Sequence, residues 1–214
     1  MPFAAMAAGA AIDTTIPLAP VRAFAEGPEL DQATELLAAA PLDAIAYGFT
    51  SSAYVIGMEG ESKMIERLEA RTRGIPVVAA CRATIEGLRG VGADRIAVVD
   101  PPWFDDELSD LGRRYYEEAG FKVVDSGPCG LQSDQAAITP EAVHAWVTRH
   151  APSEAEAIVI GGNGFRAVGA IAAIEEALGV PVLSANQALF WAALRAAGAD
   201  PRSVAGYGRL FAVA

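Results

Sequence analysis

The chain has two cysteines, two histidines and few positive charges, and each scarcity closes off a class of function. Two thiols, Cys81 and Cys129, make no disulfide framework, so a reducing cytoplasm is the expected setting. His144 and His150 share one expected helix without a carboxylate cluster, which is no convincing metal site. Sixteen Lys and Arg stand against 27 Asp and Glu, a formal net charge of −11. Nucleic acid and anionic membrane surfaces both require clustered positive charge, so neither is an expected partner. No apolar run is long enough to span a bilayer. No GxSxG elbow surrounds Ser51 or Ser52, which argues against a serine hydrolase. The opening MPFAAMAAGAA lacks the positive start of a secretory signal and reads as a loosely docked terminus. What is present is a 214-residue chain, 52% hydrophobic, with material for one large or two small domains and a sizeable core.

Strand and helix patterns alternate, which defines an α/β class with parallel sheets. Short apolar strands are expected at Ala44–Tyr47, Ile75–Ala79, Arg95–Val99, Phe121–Val124, Ala157–Ile160 and Val180–Leu183. Amphipathic helices are expected from Pro28 to about Ala40, Glu59–Arg71, Ala83–Gly90, Asp105–Ala119, Thr139–His150, Ala167–Leu178 and Gln187–Ala197. Ile12–Pro20 reads as a short strand broken by Pro17, and Ser126–Asp134 as a long Gly/Pro loop. The pattern repeats. Asp43–Gly57 matches Glu156–Ala167, Gly74–Cys81 matches Gly179–Asn186, and Gly92-Ala-Asp94 matches Gly198-Ala-Asp200. Two copies are too few for a solenoid. The expected architecture is two pseudo-symmetric halves, each a parallel sheet flanked by helices, with the active-site cleft between them. The first half is expected over residues 1–92 plus 204–214 and the second over residues 93–203.

Open α/β sheets hold ligands beyond the carboxyl ends of their strands. Thr50, Ser51 and Ser52 fall there, with hydroxyls and backbone amides suited to a carboxylate; equally, they can satisfy the loop's own backbone. The repeat sets Asn163 opposite them, flanked by Gly162 and Gly164, where a glycine loop lets a ligand approach. Phe49, Trp103 and Tyr207 are candidate pocket walls. Cys81 lies between a strand exit and a helix start, where helix amides favour a thiolate, making it the candidate ionisable group. The alternative is a small buried hydrophobe. Cys129 has no visible activating partner, and Arg166 reads equally as an anion partner or a solvated cation. Gly162–Ala167 fits GxGxxA, but no acid follows for a ribose, so nucleotide binding is not expected.

The stretches AYGFTSSAYVIG, GIPVVAACRATIEGLRGVGADRIAVV, IGGNGFRAVGAI, LGVPVLSANQALFWAALRAAG and GYGRLF resemble the aspartate/glutamate racemase superfamily, in its maleate isomerase and arylmalonate decarboxylase branch. The similarity runs from about Asp43 to Phe211. It implies two α/β halves around one site, no metal or organic cofactor, and a small carboxylate as ligand, with homo-oligomerisation left open. It also implies isomerisation, racemisation or decarboxylation through an enediolate. The family's two cysteine positions fall on Phe49 and Gly162, which cannot transfer a proton or attack a double bond. A loop tyrosine of the family is replaced by Pro102-Trp103. Thr50 and Ser51 match the carboxylate-holding part. The family's first strand is not recognisable in residues 1–28, so a shortened or diverged start is expected. Three outcomes stay open: an enzyme with non-standard catalytic residues, Cys81 foremost; a carboxylate-binding, inactive paralogue; or an enzyme of altered chemistry that needs no thiol, such as a lyase using water or a substrate group.

Overall fold

The computed structural model describes residues 17–213. Along them run α1 (Leu18–Ala23), α2 (Glu29–Ala38), β1 (Ile45–Tyr47), α3 (Thr50–Glu69), β2 (Val77–Ala79), α4 (Ala80–Gly90) and β3 (Arg95–Asp100). Then follow α5 (Asp106–Glu118), β4 (Lys122–Pro128), α6 (Pro140–His150), β5 (Ala157–Ile160), α7 (Ile171–Leu178), β6 (Val182–Ser184) and α8 (Ala185–Ala196). All strand pairs are parallel, in a two-stranded sheet β1–β2 and a four-stranded sheet ordered β4–β3–β5–β6. This is the α/β class that the alternating pattern predicts. Parallel strands covered by helices on both faces must be apolar throughout, and β5 is buried at every position. No helix among the described residues is long and apolar enough to cross a membrane.

A local side-chain cap fixes the starts of α5, α6 and α8. The Asp105 carboxylate accepts the Leu108 amide at 2.9 Å to begin α5, and Thr139 caps α6 with Pro140 at its first position. Ser184 and Gln187 form a reciprocal capping box at the start of α8. Three expectations are corrected. Leu18–Pro20 begin α1 rather than a strand; the rest of that expected strand and the loosely docked start lie outside the described residues. The segment from Thr50 is the first turn of α3, not a loop before a helix at Glu59; only Gly57, at φ 71° and ψ 176°, interrupts it. Ser126–Pro128 continue β4, because they pair with Val98–Asp100 of β3. Pro128 is tolerated there because β4 is an edge strand.

Buried side chains form two clusters. The smaller gathers Leu30, Ile45, Tyr47, Met64, Leu68 and Val77 around the two-stranded sheet. The larger covers the four-stranded sheet and also takes in Tyr54, Cys81, Ile85 and Leu88 of α3 and α4. The first turn of α3 and one face along α4 therefore pack against the second sheet's core. The tightest such approach is at α5. A Cβ on Gly112 would lie 2.5 Å from Tyr54 Cε2 and 2.8 Å from Cδ2. Gly112→Ala is expected to lower stability by about 1–3 kcal/mol through overpacking, although alanine favours the helix by about 1 kcal/mol. Urea unfolding measures it; an unchanged or raised midpoint contradicts the packing described.

Candidate active site

The first amides of a helix have no partner within it and must find one outside. In α3 the preceding residue, Phe49, has no polar side chain with which to cap. The partner comes from the loop after β5. Asn163 Oδ1 accepts both the Thr50 amide, at 3.0 Å, and the Thr50 hydroxyl, at 2.6 Å. Asn163 is itself held by Asn186 at the start of α8. Its Nδ2 donates to Asn186 Oδ1 at 2.8 Å, and Asn186 Nδ2 donates to the Asn163 carbonyl at 2.9 Å. The segments leaving β1, β5 and β6 thus meet at Asn163. Gly48 lies beside this contact: a Cβ there would stand at van der Waals distance, 3.5 Å, from Asn163 Nδ2.

The other predicted site residues divide around this clasp. Ser51 is buried beside Thr50. Ser52 is spent on local structure: its hydroxyl shares a 2.7 Å hydrogen bond with Tyr47 Oη and donates to the Phe49 carbonyl at 2.8 Å. Gly164 lies against Trp103, whose ring packs edge-on to Phe165 with centroids 6.0 Å apart. Phe49 is turned to Phe24, with centroids 4.9 Å apart. Tyr207 is half exposed, and its carbonyl is tied to Gln187 of α8 rather than to the clasp. Arg166 reaches the Ala136 carbonyl at 3.0 Å.

At Gly162 the backbone is left-handed, with φ 74°, and an added Cβ would lie 2.3 Å from Pro101 Cγ. Pro101 thus fills the space that any side chain at this position would enter. The position to which the resemblance assigns the second cysteine is a glycine whose neighbour excludes a thiol.

Cys81 requires correction. Its thiol is 1% exposed and faces the Thr50 carbonyl at 3.6 Å. Burial, reinforced by Glu61 and Asp100, pushes it well above its usual pKa. It is a neutral, enclosed thiol rather than the helix-activated thiolate expected at a strand exit.

Two carboxyls escaped notice in the sequence. Asp100 ends β3 and is wholly buried; its two oxygens and the hydroxyls of Tyr54 and Ser109 have no hydrogen-bond partner among the described residues. Burial pushes its carboxyl up to about 7; Ser109 opposes the shift weakly, without a bond of proper geometry. Glu61, also buried, accepts the Tyr115 hydroxyl and lies 4.0 Å from Arg82, and burial raises its pKa too. Their only sequence signal is an acid inside, or closing, an otherwise apolar pattern. An open groove of about 510 Å³ runs between α3, β2, α4 and α8, lined by Ser62, Val78, Arg82, Glu86 and Arg195. None of the predicted site residues lines it.

Two parallel α/β sheets whose strand-end loops meet across a shared seam define an aspartate/glutamate racemase-like fold. The chain belongs to the arylmalonate decarboxylase family, whose model matches residues 24–211. The arylmalonate decarboxylase of Bordetella bronchiseptica is 32% identical over 146 residues, covering 64% of this chain and 58% of that protein's length. A maleate isomerase of Pseudomonas putida is 27% identical over 190 residues, covering 81% of this chain and 71% of its own. The structure of a maleate cis-trans isomerase from Nocardia farcinica superposes with a TM-score of 0.81 at 25% identity. That match covers 93% of this chain and 82% of the isomerase, a cysteine-to-serine variant holding a covalent succinylcysteine intermediate. These relatives are isomerases and decarboxylases.

Two outcomes are expected. Gly162→Cys alone lowers the unfolding midpoint, and Pro101→Ala in the same chain restores part of the loss; an unaltered midpoint in the single variant contradicts the steric account. For Asp100, the folded state keeps a proton that the unfolded chain releases above its ordinary value of 3.8. Stability therefore falls as pH rises from about 4 to about 7, by roughly 4 kcal/mol, and levels off above. Asp100→Asn should remove that slope in thermal melts across this range; an equal slope in the variant contradicts it.

Proposed function

We propose that the chain is a cofactor-independent enzyme acting on a small carboxylic or dicarboxylic acid through an enediolate-like intermediate. Of the two reactions of its relatives, decarboxylation fits these residues better than isomerisation. The observation that carries this reading is the convergence of the Thr50 amide and hydroxyl on one oxygen, at 3.0 and 2.6 Å. Two preorganised donors aimed at one point are what a developing oxyanion requires.

In decarboxylation of a malonate, the bond to the departing carboxylate breaks and its electron pair moves through the α-carbon into the remaining carboxylate. Carbon dioxide leaves, and water returns a proton to the α-carbon. Stabilising the enediolate is the protein's main task, and no nucleophile takes part. Isomerisation through a succinylcysteine, the species held by the Nocardia farcinica enzyme, needs a reactive thiol. Phe49 and Gly162 offer none, and Cys81 is enclosed and neutral.

A second reading, a carboxylate-binding paralogue without turnover, is favoured by one observation. Pro101 occupies the space above Gly162 where the family's proton donor would stand.

Incubation with malonate and phenylmalonate in heavy water separates the two. Turnover should release carbon dioxide and place deuterium at the α-carbon, and Thr50→Val should lower kcat/KM by about 10²-fold. Saturable binding without either product supports the second reading. Neither binding nor product contradicts both.

A further inference from the structure

Asn163 stands where a ligand would. We infer that its carboxamide is a built-in occupant of the carboxylate seat and the residue that sets the seat's selectivity for charged over neutral acids. The inference rests on the reading of Thr50 as that seat.

Three features support it. Asn163 Oδ1 satisfies the Thr50 amide and hydroxyl together, at 3.0 and 2.6 Å, so neither bond to an incoming oxygen can form until the carboxamide leaves. The carboxamide is not merely passing through: its Nδ2 donates to Asn186 Oδ1 at 2.8 Å, and the backbone carbonyl of Asn163 accepts from Asn186 Nδ2 at 2.9 Å. Thr50 is buried while Asn163 is partly exposed, so the occupant has solvent to swing into and the seat is otherwise enclosed.

Selectivity follows from the exchange. A neutral amide or ester entering the seat replaces one carbonyl oxygen by another and gains nothing in bond strength. A carboxylate replaces neutral hydrogen bonds by charge-assisted ones, roughly twice as strong, and places a negative charge at the positive end of α3. Asn163 thereby raises the threshold for every ligand, and only anions clear it. The apparent affinity of the seat is reduced by the fraction of molecules in which the carboxamide holds it.

The test is isothermal titration of malonate and of its neutral diamide, malonamide, into the wild-type chain and two variants of opposite sign. Asn163→Ala vacates the seat and should bind malonate at least about tenfold more tightly, and should admit malonamide. Asn163→Asp keeps a cap on α3, so it folds, but occupies the seat with a charged oxygen; malonate should bind at least about tenfold more weakly. The wild type should bind malonate and not malonamide. If Asn163→Ala binds malonate no better than the wild type, or Asn163→Asp binds it equally well, the inference is overturned while the seat itself stands. If no form binds malonate, the seat falls too.

Discussion

One hydrogen-bonded clasp governs how this molecule is put together. The opening of α3 needs a partner for its first amide, and the residue before it cannot supply one, so the partner comes from 113 positions further along the chain. The same asparagine is pinned to the start of α8. A local demand of helix geometry is thus met across the seam between the two sheets. That seam is also where the proposed acid seat lies, so the Thr50 donors that complete the fold are the ones the proposal assigns to an acid.

The thiols of the family leave two different replacements behind. At Phe49 the ring turns to Phe24 and becomes packing. At Gly162 there is no side chain and Pro101 fills the volume one would take, with the backbone in a left-handed conformation that only glycine adopts freely. At Gly162 the loss is matched by its neighbour, because a restored side chain would collide with Pro101. Neither position carries a thiol, and the Thr50 amide and hydroxyl are the donors on which the proposed electrostatic stabilisation rests. Beneath the loops, burial first and then the nearby carboxyls of Glu61 and Asp100 disfavour an anion at Cys81.

The sequence was legible where structure is decided locally. The apolar runs at Arg95–Val99 and Ala157–Ile160 could only be buried parallel strands, and the caps at Asp105 and Thr139 sit within three residues of the amides they bind. The internal repeat set Asn163 opposite Thr50, and the structure bonds them. What escaped was decided at a distance. The start of α3 could not be read because its cap lies on another loop. Cys81 looked accessible because it stands at a strand exit, yet α3 covers it: the Thr50 carbonyl rests on its sulfur. Asp100 resembled an ordinary polar strand ending until Tyr54 and Ser109 enclosed it. No pattern in one strand foretells a proline ring from a neighbouring loop lying over Gly162.

The central claim is that an acid is gripped at the point where Thr50 meets Asn163. Amide-resolved NMR during titration with phenylmalonate tests it most directly. The account predicts saturable movement of the Thr50 backbone resonance together with the Asn163 and Asn186 side-chain amides, all at one dissociation constant. Saturable binding that leaves those three resonances in place, and shifts those lining the groove at Arg82 and Arg195 instead, would contradict it.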